Sequence, residues 1–402
     1  MRPFTSTITL EEARQRLAAN VRPIARTERV ALDAAAGRVA SASVVSPIDV
    51  PPFSRSAMDG YAVIAADTVG ASKSAPARLR LVDRIFTAQT SDVTIAQGTC
   101  AEIATGAPLP AGADAVVMVE ETGRNADNEI DVFSMAQAGQ NVGRRAGDIA
   151  IGDSVLAPGD LVTPARLGAI AAIGATHVDV FARPRAVILS TGNEVVEPGA
   201  PLPPGHIYDV NRFTVAAIVN AHGGVAEPRR AVDDSVDALI AALDEAAGAD
   251  LIVFSGGSSV GERDLLVDAI AARGRMIFHG IAVRPGKPTG FALVGETPFF
   301  GMPGNPTSCL TNAYVLLVPF LRALARLPPY TPRTLRVPLG RRIASAVNRH
   351  QFYTVVVRDG VAAPAFKGSG DITSLSRADG YIEIPADQNV VEEGTLVNVT
   401  FF

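Results

Sequence analysis

The stretch Ser255-Gly256-Gly257-Ser258-Ser259, followed by Val260-Gly261-Glu262-Arg263-Asp264, joins glycines and hydroxyls ahead of a helical pattern. Glycines let backbone N–H groups approach a phosphate, and a helix start behind them adds positive potential, so this is a candidate anion cradle. A tight strand-to-helix turn has the same composition. The spacing is neither GxxxxGK[ST] nor GxGxxG, which disfavours a nucleoside triphosphatase or a dinucleotide enzyme. Arg284 and Lys287 flank Pro285-Gly286, where they would offer cationic charge to an oxyanion or simply mark a surface turn. Glu194, Asp209, Asp233 and Asp264 fall at strand ends or helix starts. Each alone suits a helix cap or a solvated charge. Grouped near an anion cradle they would suit Mg²⁺, which takes carboxylates together with phosphate oxygens.

These residues are placed by an alternation of elements. Strands are predicted at 185–190, 225–232, 250–254 and 275–283, with short ones at 291–294 and 298–300. Helices are predicted at 211–221, 235–247, 263–272 and 307–326. Such alternation argues for a parallel-type sheet covered on both faces, the central three-layer part of a multidomain α/β plus β chain. Ligands of such sheets sit beyond the strands' carboxyl ends. The loops there are Thr191-Gly192-Asn193-Glu194, the cradle, Arg284-Pro285-Gly286-Lys287-Pro288 and Gly301-Met302-Pro303-Gly304-Asn305-Pro306-Thr307-Ser308.

On either side the texture changes. Thr9 and Glu12 form a capping pair for a first helix running to about Asn20. Thr163-Pro164 starts another helix, expected to pack with the first. Between them, 50–142 is β-rich and reads as an insertion. Beyond Pro328-Pro329-Tyr330-Thr331-Pro332 the tail reads as strands without a good helix. The expected domains are therefore 1–49 with 143–183, an inserted β-rich domain at 50–142, an α/β domain at 184–327 and a C-terminal all-β domain at 328–402.

Composition narrows the function classes. The net charge of −5 gives no basic surplus, so a general nucleic-acid partner is not expected. No apolar run approaches the roughly 18 residues of a membrane span, the best being 313–321, so no membrane partner is expected either. Cys100 and Cys309 make neither a disulfide framework nor a zinc cluster, and a soluble, reducing, cytoplasmic setting follows. Of 36 basic residues only Lys73, Lys287 and Lys367 are lysine, so each invites a question; only Lys287 sits in a motif ranked highly. The stretches 51–62 and 105–115 are, by physics alone, turns bounding strands.

Taken together, seven stretches resemble the molybdopterin molybdenumtransferase family of molybdenum cofactor biosynthesis, which includes the E domain of gephyrin. They are Ser56–Val63 (SAMDGYAV), Thr105–Val117 (TGAPLPAGADAVV), Ser190–Glu194 (STGNE), Tyr208–Arg212 (YDVNR), Ser255–Asp264 (SGGSSVGERD), Arg284–Pro288 (RPGKP) and Gly301–Pro306 (GMPGNP). The resemblance implies a discontinuous first domain, an inserted elongated β domain, an α/β molybdopterin-binding domain and a C-terminal barrel-like β domain, assembled as a homodimer. It implies a transferase that inserts molybdate into adenylylated molybdopterin with a divalent cation and releases AMP.

The resemblance also assigns roles. Asp59, Glu194, Asp233, Asp264 and Lys287 would be catalytic, with Glu194, Asp233 and Asp264 holding Mg²⁺ and Asp59 reaching a partner's cleft. Thr105, Asp209, Gly256, Gly257, Ser258, Arg284, Pro303, Asn305, Pro306 and Ser308 would bind substrate. Further partners would be molybdopterin adenylyltransferase and the molybdoenzymes. The chain departs from the family pattern at Ala146-Gly147, Asn193 and Arg284; arginine for a frequent lysine keeps the charge and changes the donor geometry. The alternatives are a molybdopterin adenylyltransferase, which only 184–327 would resemble, and a non-catalytic scaffold or oxyanion carrier.

Overall fold

A computed structural model describes residues 7–126, 128–230, 233–256 and 265–402. The chain divides into two compact units, one of Met1–Glu28, Gly37–Val39 and Val180–Phe402, the other of Arg29–Ala36 and Ala40–Asp179.

The first unit opens with helix α1 (Leu10–Ala19), capped by Thr9 Oγ1, which accepts the Glu12 N–H at 3.1 Å. It continues through β1 (Arg185–Ser190), α2 (Asn211–Ala221), β2 (Val225–Pro228), α3 (Val236–Glu245), β3 (Leu251–Ser255), α4 (Leu265–Arg273), β4 (Gly274–His279), β5 (Gly290–Val294), β6 (Thr297–Met302), α5 (Pro306–Asn312) and α6 (Val318–Leu324). Among the described residues the sheet has six strands in the order β2-β1-β3-β6-β5-β4. β2, β1, β3 and β6 pair in parallel, and β5 runs antiparallel to both β6 and β4. β4 is thereby restored to the common direction, so the carboxyl ends of five strands lie on one edge.

Period-2 alternation assigns side chains to the two faces. Ala186, Ile188, Leu251 and Val253 enter one core with α2 and the α5–α6 region, while Val187, Leu189, Ile252 and Phe254 enter a second with α3 and α4. In the first core Phe291, Phe300 and Phe320 form edge-on pairs with centroids 5.0–5.4 Å apart. A π-helical turn (Ala313–Leu317) joins α5 to α6 into one run, Pro306–Leu324. That run is long and apolar enough to cross a membrane, a length the apolar count along the sequence does not reveal, and 72% of it is buried inside the fold. It is the core helix of the first face.

Helix α1 belongs to the first unit. Leu10, Ala13 and Leu17 join the α/β core beside Phe278 and Ile281, and Arg16 Nη1 donates to Ile277 O at 2.8 Å. In the second unit the helix Pro164–Ala172 packs on the strand Ser154–Leu156. Also in the first unit, a C-terminal sheet has the order Val283–Arg284, His350–Arg358, Gly380–Ile384, Leu396–Phe401, Thr334–Pro338. Between its strands, Thr373–Ser376 forms one helical turn.

The second unit contains a six-stranded sheet, Ala115–Met118, Gly60–Val63, Thr99–Ile103, Ala77–Ile85, Glu129–Val132, Thr122–Ala126, with a core on each face.

Candidate active site

The loops at the carboxyl edge of the sheet meet the C-terminal segment around a cleft of about 1120 Å³. Three glycines there have particular work. Gly256 has φ +119°, and a Cβ on it would lie 2.3 Å from Thr191 O. Gly304 faces it, so that a Cβ there would meet Gly256 Cα at 3.5 Å, and the two loops close up as bare backbone. Gly286 has φ +101°, and a Cβ on it would overlap Asn312. The positions of Gly256 and Gly286 exclude side chains and leave peptide groups as the wall, while Gly304 would admit a Cβ at ordinary contact distance.

The acidic side of the cleft is built by the Tyr208–Arg212 stretch at the start of α2. Asp209, buried, accepts a hydrogen bond from Ser190 Oγ at 2.6 Å and from the Arg212 N–H at 3.1 Å. Arg212, equally buried, lies 3.4 Å from the same carboxylate and donates to Glu197 at 2.5 Å. The preceding residue, Asn211, donates to Gly304 O at 2.7 Å, tying two cleft loops together. Glu194 lines the cleft and is exposed.

The basic side comes from two places. Arg284 and Lys287 stand on the turn after β4, and Arg349 and Lys367 come from the C-terminal segment. The junction is stitched by Asn305 Nδ2 donating to Ser369 Oγ at 3.1 Å, Thr307 N to Ser369 O at 3.1 Å, and Thr307 Oγ1 to Asp371 O at 2.7 Å. The strand Val283–Arg284 also pairs in parallel with His350–Gln351.

Of the residues singled out in the sequence, the cleft gathers Glu194, Asp209, Gly256, Arg284, Lys287, Pro303, Asn305, Pro306 and Ser308. Gly257, Ser258 and Asp264 lie outside the described residues. Asp233 is exposed and does not line the cleft; its loop is held through the Asp234 N–H, which donates to Asn193 Oδ1 at 3.2 Å. Among the described residues no three His, Cys, Asp or Glu side chains converge as a metal site. A divalent cation here would keep most of its waters, lean on substrate phosphate and take Glu194 as its described protein ligand, a donor set that Mg²⁺ accepts.

Asp59 and Thr105 meet in the second unit. The carboxylate accepts the Thr105 N–H at 2.6 Å and the Thr105 hydroxyl at 2.9 Å, and these bonds hold its pKa below the ordinary carboxylate range. Both cysteines are buried thiols that burial pushes up to about 12, which removes them as thiolate nucleophiles near neutrality.

Arg349, Lys367 and Ser369 were not legible as site residues. Lys367 is a correction: set aside as a lysine outside any motif, it lines the cleft, with Nζ donating to Thr373 Oγ1 at 3.3 Å. Its rarity in an arginine-rich chain and its Gly-Ser-Gly neighbours were the available signal.

Comparison with known proteins accounts for this arrangement along nearly the whole chain. The MoeA N-terminal region (domain I and II) matches residues 8–174, a probable molybdopterin binding domain 187–323, and the MoeA C-terminal region (domain IV) 336–402. The chain belongs to the MoeA family. A molybdopterin molybdenumtransferase 2 of Mycobacterium tuberculosis is 37% identical over 401 residues, covering 96% of this chain and 97% of the relative. A molybdopterin molybdenumtransferase of Haemophilus influenzae is 31% identical over 403 residues, with 98% of each chain covered. The crystal structure of a molybdopterin biosynthesis moea protein from Pyrococcus horikosii superposes with TM-score 0.84 at 36% identity, covering 98% of this chain and 99% of that one. The inserted β unit, the α/β sheet and the β-rich C-terminal part are thus the MoeA fold.

Proposed function

We propose that this MoeA-family chain is a transferase that inserts molybdate into adenylylated molybdopterin and releases AMP. The observation that carries the reading is the cleft, where Arg284, Lys287, Arg349 and Lys367 face the glycine-walled loops at the sheet edge. The bare backbone of Gly256 and Gly304 suits the phosphates of a nucleotide-linked pterin. The four cations suit a dianionic oxyanion and the phosphates together. In the reaction the two dithiolene sulfurs bond molybdenum, and one oxo oxygen departs as water with their protons. A water adds to the phosphoanhydride, leaving AMP and a terminal phosphate on the cofactor. The sulfur ligands come from the substrate, consistent with two buried, protonated cysteines in the protein.

In this reading a divalent cation held by substrate phosphate and Glu194 screens the charge between carboxylates and phosphates. Activity is expected to vanish in excess chelator after metal removal and to return with Mg²⁺. The active form is a homodimer in the cytoplasm, in which Asp59 and Thr105 serve the cleft of a second copy. Light scattering at micromolar concentration should give twice the chain mass of 41.8 kDa; a monomer mass contradicts it.

A molybdopterin adenylyltransferase is the neighbouring alternative, and the stitching of Asn305 and Thr307 to 369–371 argues against it, because the cleft draws half its cations from outside the α/β part. The discriminating experiment supplies the protein with adenylylated molybdopterin, molybdate and Mg²⁺, then measures activation of a cofactor-free molybdoenzyme. Activation is expected. Formation of adenylylated molybdopterin from ATP, with no activation, would favour the alternative.

A further inference from the structure

We propose that Asn312 is a positioning residue that sets where the Lys287 ammonium stands, an inference that rests on the molybdate-inserting reading above. Asn312 is fully buried at the end of α5, so it does not touch substrate. Its Nδ2 donates to Gly286 O at 3.3 Å and to Thr289 Oγ1 at 3.0 Å. These two acceptors bracket Lys287-Pro288. Thr289 closes the same turn with its hydroxyl on Gly286 O at 2.8 Å and its N–H on that oxygen at 3.2 Å. Lys287 O in turn accepts the Ile281 N–H at 2.9 Å. A lysine stem is long and flexible, so the reach of its ammonium is set by where the backbone stands.

The amide suits this place for three reasons. A primary amide nitrogen carries two hydrogens, one for each acceptor. A Cβ on Gly286 would lie 1.6 Å from Asn312 Nδ2, so the amide occupies the space that a side chain at the turn would need. Asn312 Oδ1 is buried without a hydrogen bond, a cost tolerated where the nitrogen's two bonds are made. The helix behind Asn312 is anchored in the core by Leu316, Leu317 and Phe320, which makes it a rigid reference for the turn.

The test uses the full chain with Asn312→Leu, similar in size and without donors, and Thr289→Val, which removes one of the two acceptors. Initial rates of AMP release are measured against molybdate and, separately, against adenylylated molybdopterin. Amide hydrogen exchange is followed over 281–290. For Asn312→Leu the molybdate KM should rise on the order of tenfold while the pterin KM stays within about twofold, and exchange over 281–290 should accelerate. Thr289→Val should show the same split at smaller size, and it decides the matter alone if Asn312→Leu does not fold. An unchanged molybdate KM overturns the proposal. So does a parallel rise of both KM values, because a merely structural role would spread the loss over both substrates. Failure of the underlying reading is seen separately, in wild-type protein that releases no AMP on adding molybdate; the inference then falls with it.

Discussion

Lys287 and Lys73 are two of three lysines in a chain that otherwise uses arginine, and they stand in opposite surroundings. Lys287 lines the cleft, whereas Lys73 is exposed on the second unit. An ammonium is compact and has three rotatable donors; a guanidinium is a wide planar fork. Lys287→Arg should keep charge and fold yet impair molybdate use by clearly more than the ~0.5 kcal/mol scatter of surface changes, and Lys73→Arg should stay within it. Rates at limiting molybdate decide this. Lys367→Arg belongs with the affected variants because that residue also lines the cleft. Arg212 gives a stability counterpart. Its guanidinium is the counterion of buried Asp209, so Arg212→Met strands a carboxylate and should cost about 3–5 kcal/mol in urea unfolding. A loss below about 1 kcal/mol would show that water or Ser190 suffices for Asp209.

At the scale of elements, strand β1 and helix α2 were legible to the residue. The buried run of β1 has no competing period, and α2 is closed by Gly223-Gly224. The reversed direction of β5 was not legible: its run Phe291-Ala292-Leu293-Val294 is apolar on both faces and reads the same either way along the chain. The surface that α1 covers was not legible either, because its stripe of Leu10, Ala13 and Leu17 fits any apolar surface, and the fold sets it in the core that holds Phe278 and Ile281. The aromatic centre behind the sheet gives a direct test, since Phe300→Ala should cost about 3–5 kcal/mol in chemical denaturation. His222, at the end of α2, supplies a pH dependence. Burial, and then the charge of Arg322, lowers its pKa below the ordinary 6.5, and its Nδ1 is buried without a hydrogen bond. The unfolded chain therefore binds the proton first. Stability should fall as pH drops below about 6.5 until the lower folded pKa is passed. His222→Gln should flatten that part of the profile in thermal melts; an unchanged slope would place the titration elsewhere.

For the whole molecule, the family and the α/β half of the cleft were legible because their residues lie in short contiguous stretches. The C-terminal half was not. Asn305 meets Ser369, and Thr307 meets Asp371, each across 64 residues of chain, and no local pattern announces a pairing of that length. The same junction supports the central claim, that one cleft built from both parts joins molybdate to an adenylylated pterin. The most direct measurement is AMP release from adenylylated molybdopterin by the wild-type chain, with and without molybdate, at fixed Mg²⁺. The account predicts release that depends on molybdate and saturates with it, in step with the appearance of metal-bearing cofactor. AMP release at the same rate without molybdate, or none with it, would contradict the account.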